Sequence, residues 1–151
     1  MKVAKWVRLL AVAVMLVSLQ VGVSLAADAR PGKCITLDGQ EVSFFQIDRT
    51  LVKGWWNGTP IEVPLETVSE ILFLDSPKVN YSMSGNEISS GQIELTRKSD
   101  GKKFILRDAF LPSDCDCTFI TYTYRNPFTL ELGSENLPLD GLKQIIFADT
   151  K

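Results

Sequence analysis

From Cys34 onward the chain alternates apolar and polar positions with a period of two, broken at short intervals by turn-forming pairs. Ile35-Thr36-Leu37 runs into Asp38-Gly39, and Glu41 to Ile47 resumes with Val42, Phe44, Phe45 and Ile47. Leu51 to Trp56 and Thr59 to Val63 flank Asn57-Gly58, a pair that supplies the positive φ angles a two-residue hairpin needs. Gln92 to Thr96, Lys103 to Leu111, Phe119 to Tyr124 and Phe128 to Leu132 continue the pattern, with Asp100-Gly101 and Asn126-Pro127 as breaks. No segment after the N-terminal leader sustains an apolar period of 3.6, so strands are predicted throughout and a long helix is not.

One segment occurs twice. Pro64-Leu65-Glu66-Thr67-Val68-Ser69-Glu70-Ile71-Leu72-Phe73-Leu74-Asp75 is matched 74 residues later by Pro138-Leu139-Asp140-Gly141-Leu142-Lys143-Gln144-Ile145-Ile146-Phe147-Ala148-Asp149. Five of the twelve positions are identical and several others keep their chemical type. Each copy begins with a proline too close to the next strand for more than one helical turn, and an internal repeat points to one structural unit used twice. The residues predict four regions: a signal peptide over 1–26, a β unit over 27–75, a linking loop over 76–91, and a second β unit over 92–151. The loop is rich in Ser, Asn and Gly, and the second unit carries an insertion at Leu111 to Cys117.

The order strand, hairpin, single helical turn, strand resembles that of small SH3-like or Sm-like barrels. The resemblance rests on Val63-Pro64-Leu65-Glu66 through Phe73 and on Leu137-Pro138-Leu139-Asp140 through Phe147. It implies an all-β fold of two duplicated SH3-like barrel units packed together, and an adaptor role. The alternative from the same residues is a single β-sandwich built from duplicated halves. Units of this size bury too little surface to be robust alone, which favours a shared core.

The N-terminus predicts export. Lys2, Lys5 and Arg8 precede an apolar run from Leu9 to Val17, and Ser24-Leu25-Ala26 places small residues at a cleavage site. A periplasmic or secreted protein is expected, with no membrane attachment after cleavage. Removing the leader's three basic residues from 16 leaves 13 against 18 acidic ones, a net charge of −5. Nucleic acid is therefore not an expected partner, because it needs a basic footprint.

Candidate chemistry is sparse. The chain has no His, which removes the commonest general base and its Ser and Cys pairings, so no catalytic residues are assigned and an enzyme is not expected. Cys34, Cys115 and Cys117 are the three cysteines, and an oxidising compartment would pair two of them. A bridge from Cys34 to Cys115 or Cys117 is expected, since a Cys115–Cys117 bridge would close a very small ring. Two thiols one residue apart also suit a redox pair or a soft metal, but a closed tetrahedral site needs further ligands. No metal or cofactor is assigned.

Trp55-Trp56 is the other unusual feature. On a strand adjacent side chains face opposite ways, so one tryptophan is directed away from the core. With Tyr122 and Tyr124 on a later strand, these aromatics are the candidate binding residues. Three functions follow, in order: a non-enzymatic module binding a protein or envelope component, a carbohydrate-binding module stacking sugars on Trp and Tyr, and a thiol-based metal or redox protein.

Overall fold

A computed structural model describes residues 30–75, 78–81, 87–115 and 117–148 of the 151-residue chain. The predicted signal peptide lies outside the described residues. Strand β1 (Gly32–Thr36) reverses at Asp38-Gly39 into β2 (Glu41–Phe44), which bends at Phe45 and continues as β3 (Gln46–Ile47). The hairpin of β4 (Leu51–Trp56) and β5 (Thr59–Pro64) turns on Asn57 and Gly58, with φ of 49° and 80°. Positive φ at both positions matches the right-handed twist of the flanking strands. A 3₁₀ turn (Leu65–Thr67) leads to β6 (Val68–Phe73), followed by β7 (Lys78–Tyr81), β8 (Glu87–Arg97) and β9 (Lys103–Phe110). Then come β10 (Phe119–Arg125), β11 (Leu132–Pro138), a second 3₁₀ turn (Leu139–Gly141) and β12 (Leu142–Phe147). The protein is all-β.

The repeated segment is built the same way in both places. Pro64 (φ −62°, ψ 130°) and Pro138 (φ −60°, ψ 135°) hold extended backbone immediately before each 3₁₀ turn. Their rings fix φ, and each turn then drops a leucine into the core. Leu65 and Leu139 are buried, as are Val68 and Leu142 where the next strand begins. The backbone N–H of each of these last two residues donates back to the leucine carbonyl, closing the turn.

The strands form two sheets and not a closed barrel. One runs β2-β1-β12-β6-β8-β9-β4-β5, with β7 pairing the first part of β8, and the other runs β11-β10-β3. At the middle of the larger sheet β6 and β12 are antiparallel with Ile71 opposite Ile145, so the two copies of the repeat face each other at equivalent positions. Outside this pair and the hairpins of consecutive strands, the pairing crosses between the halves of the chain. β1 joins β12, β8 joins β6, β9 joins β4, and β3 joins β10. Each half thus supplies edges that the other half satisfies, and one core of Cys34, Val52, Val68, Ile71, Ile93, Leu106, Ile120, Leu142 and Ile145 lies between them.

Two local differences from the sequence reading have simple causes. The segment expected to be a linking loop holds β7 and the start of β8, paired from Lys78 opposite Ser90 to Tyr81 opposite Glu87. Its Ser and Asn residues gave no apolar alternation, but ladder pairing uses backbone groups that every such residue has. The run from Phe128 is not extended, because Asn126 caps a turn there. Its Oδ1 accepts the N–H of Phe128 at 2.9 Å and of Thr129 at 3.2 Å, and β11 starts only at Leu132.

Candidate binding cleft beside Trp56

The β4–β5 hairpin sends its two tryptophans to different surfaces. Val52 and Gly54 turn inward, while Trp55 and Trp56 beyond them are 48% and 40% exposed. Gly54 is required where β4 meets β9, because a Cβ there would stand 2.9 Å from the Ala109 Cβ. Trp56 lies edge-to-face on Phe104 of β9, with ring centroids 5.9 Å apart at 74°. That geometry sets the positive edge of one ring on the negative face of the other. Trp55 lies on a shallow, more polar surface with Lys53, Glu62 and Asp108.

Beneath Trp56 a cleft of about 260 Å³ opens between the β4–β5 hairpin and the β8–β9 hairpin. Its floor is Val68, Leu95 and Leu106, all nearly inaccessible, and its walls are Ile61, Val63, Phe104 and Trp56. Thr67 and Arg97 are the polar groups at its margin. Arg97 is held in place by Asp100, Nε to Oδ1 at 2.8 Å and Nη2 to Oδ2 at 2.5 Å, with its guanidinium 5.0 Å from the Phe104 ring centroid. The hydrogen bonds from Arg97 bring the Asp100 carboxyl down to about 2, and the same pairing raises the guanidinium pKa. The charge is thus fixed at the rim of an apolar hole.

Tyr122 and Tyr124 lie elsewhere, in the three-stranded sheet. Their rings are 6.0 Å apart at 42°, and both hydroxyls donate to Glu135, at 2.7 Å from Tyr122 and 3.5 Å from Tyr124. Burial, then the Glu135 hydrogen bond, pushes the Tyr122 hydroxyl up to about 12. Tyr124 lies across Gly133, where a Cβ would come within 2.6 Å of the ring Cζ. The four candidate aromatics therefore do not form one platform: the tyrosines are grouped with each other, and each tryptophan lines a different surface.

The expected staple from Cys34 is not formed. Cys34 is free and fully buried on β1, where burial pushes its thiol up to about 12, and Cys115 is bridged to Cys117 instead. The reason is the direction of each side chain. Cys34 points into the core from β1, which is paired on both sides, while Cys115 lies exposed in the loop between β9 and β10. Ser113 Oγ accepts the Cys117 N–H at 3.0 Å and lies 3.6 Å from the Cys115 sulfur. Among the described residues no three His, Cys, Asp or Glu side chains lie together as metal ligands would.

Sequence reading missed Arg49. It is only 4% exposed, with Nε donating to the Leu111 carbonyl at 3.2 Å, Nη2 to the Phe119 carbonyl at 2.5 Å, and Nη1 paired with Asp48 at 2.6 Å. It pins both ends of the cysteine-bearing loop. Asp48-Arg49 reads locally as a turn, and no local signal distinguishes a buried arginine there from a solvated one. No family model matches the chain, and neither a curated protein nor a solved structure matches it.

Proposed function

We propose that the chain is an exported, non-enzymatic binding module whose site is the Trp56 cleft, and that it takes an apolar or aromatic side chain of a protein partner. The observation that carries this is the cleft itself: aliphatic floor, half-exposed aliphatic and aromatic walls, and a single fixed cation at the rim. Burying an apolar side chain there gains roughly 25 cal/mol per Å² removed from water. A sugar ring would need several polar partners, and among the described residues Thr67 and Arg97 are the polar side chains bordering the cleft, with Arg97 already engaged by Asp100. The basic, apolar and small-residue segments of the leader support export, and the acidic balance of the remainder directs the module away from nucleic acid.

The test is a titration of isotope-labelled protein with short peptides bearing Trp, Phe or Leu and, separately, with oligosaccharides. Peptides are expected to shift the Trp56 indole N–H and the methyl groups of Leu95 and Leu106, and the shifts should vanish in Val63→Trp, which fills the cleft from its wall. Silence toward peptides with saccharide shifts at Trp55 or Tyr124 would overturn this reading in favour of carbohydrate binding.

A further inference from the structure

β11 ends the three-stranded sheet, and β10 is its one partner among the described residues. The backbone phase of this strand is fixed at both ends. Leu139 N–H donates to the Thr118 carbonyl at 2.9 Å and Asn126 N–H to the Glu131 carbonyl at 2.8 Å. In an antiparallel ladder the N–H and C=O groups of alternate residues turn to opposite neighbours. Gly133, Glu135 and Leu137 therefore serve β10, Leu132, Ser134 and Asn136 direct theirs outward, and Pro138 at the strand's end faces outward without an N–H. The corresponding strand β5 has the same phase, set by Leu65 N–H donating to the Thr50 carbonyl at 2.8 Å. Its outward positions are Pro60, Glu62 and Pro64. Proline has no N–H, so β5 is a blocked edge. Pro64 is matched by Pro138 at the end of β11, but Pro60 stands 74 residues before Ser134, so β11 lacks the proline at its centre.

We infer that the β11 edge pairs with the β11 edge of a second copy of this chain, antiparallel about a two-fold axis with Ser134 opposite Ser134. Three outward residues per strand then exchange six backbone hydrogen bonds, with Leu132 opposite Asn136. The strand suits itself: its centre is small and uncharged, and its one acidic side chain, Glu135, is held by Tyr122. The hairpin tip beside it supplies the second argument. Phe128, Leu130 and Leu132 are 94%, 64% and 58% exposed, and the pairing carries the tip of each copy alongside Pro138 of the other. Since β5 is blocked, the same edge is not offered twice in one chain, and the contact closes as a dimer and does not propagate.

The chain without its leader is expected to sediment at twice its monomer mass at micromolar concentration. Ser134→Pro, which installs the residue already present at the corresponding position of β5, should halve that mass while leaving circular dichroism and the unfolding midpoint in place. Ser134→Cys, oxidised mildly, should give a symmetric intermolecular disulfide even if the proline variant fails to fold. A wild-type monomer up to several hundred micromolar would leave the edge to a foreign strand and overturn the proposal. So would a folded Ser134→Pro dimer, or a dimer that Ser134→Cys fails to cross-link.

Discussion

Gln144 donates from Nε2 to the Oε1 of Glu70 at 2.5 Å, and the two residues hold the same position in the two copies of the repeated segment. Ile71 and Ile145, the next residues, lie opposite each other and are wholly buried. The repeat therefore meets itself at the middle of the sheet, and a position where its copies differ in charge is one where their side chains touch. Two glutamates there would set like charges across the β6–β12 pair; an amide in one copy turns the repulsion into a hydrogen bond.

Restoring the symmetry should expose that cost. Gln144→Glu is expected to destabilise the protein by roughly 1 kcal/mol at neutral pH, the scale of like charges across adjacent strands. The penalty depends on both side chains carrying charge, so added salt should screen part of it. Urea unfolding of wild type and variant at pH 7 in low and in high salt measures the difference at each. An equal deficit in both would mean that the lost hydrogen bond, and not charge, is responsible.

How much of this was legible depends on range. The Asn57-Gly58 turn and the two proline-led turns are decided within four or five residues, and the sequence states them openly. Which strand β6 pairs with is decided by residues far apart: β5 and β8 present comparable apolar alternation, and only the packed core selects β12 and β8 over a closure within its own half. The cleft was half legible. Adjacent tryptophans on a strand must diverge, but Leu95, Phe104 and Arg97 come to Trp56 only through the β4–β9 pairing. Cys34 was misplaced because spacing along the chain carries no information on whether a thiol points into the core.

Arg49 should be the most sensitive charged residue among those described. Arg49→Met keeps most of the volume but leaves the Leu111 and Phe119 carbonyls and the Asp48 carboxylate without their donor. Orphaned buried acceptors cost about 1–3 kcal/mol each when nothing replaces the donor, so a loss of about 3 kcal/mol in urea unfolding is expected. Arg49→Lys should recover only part of it, since an ammonium does not reproduce the guanidinium fork that reaches two carbonyls and a carboxylate together.

The cysteines give a sharper discrimination. A bridge between residues two apart constrains the unfolded chain little, and the chain-entropy relation gives about 1.5 kcal/mol for so short a loop, against roughly 4 kcal/mol for a staple spanning about 80 residues. Cys115→Ser with Cys117→Ser is therefore expected to leave a folded protein with a modestly lowered midpoint. Thiol titration of the wild-type protein should find no reactive group when folded and one in denaturant, Cys34. A loss near 4 kcal/mol in the double variant would show that one of these cysteines is tied to Cys34.

Alkaline pH should act through Tyr122. Its hydroxyl, pushed up to about 12 from an ordinary value of 10, keeps its proton more tightly in the folded protein than in the unfolded chain. The stabilisation is complete below pH 10 and is lost as the pH rises toward 12, because the unfolded state releases the proton first. Cys34, also raised to about 12, adds a loss of the same sign that begins nearer pH 9. The Tyr122 share of tyrosinate absorbance, the part absent from Tyr122→Phe, is thus expected to appear together with unfolding. In Tyr122→Phe the decline between pH 10 and 12 should become shallower, retaining the part due to Cys34. The variant also frees Glu135 from its shorter hydrogen bond, so its stability at pH 7 should fall by about 1 kcal/mol. An alkaline limb unchanged by Tyr122→Phe would place the titrating group elsewhere in the core.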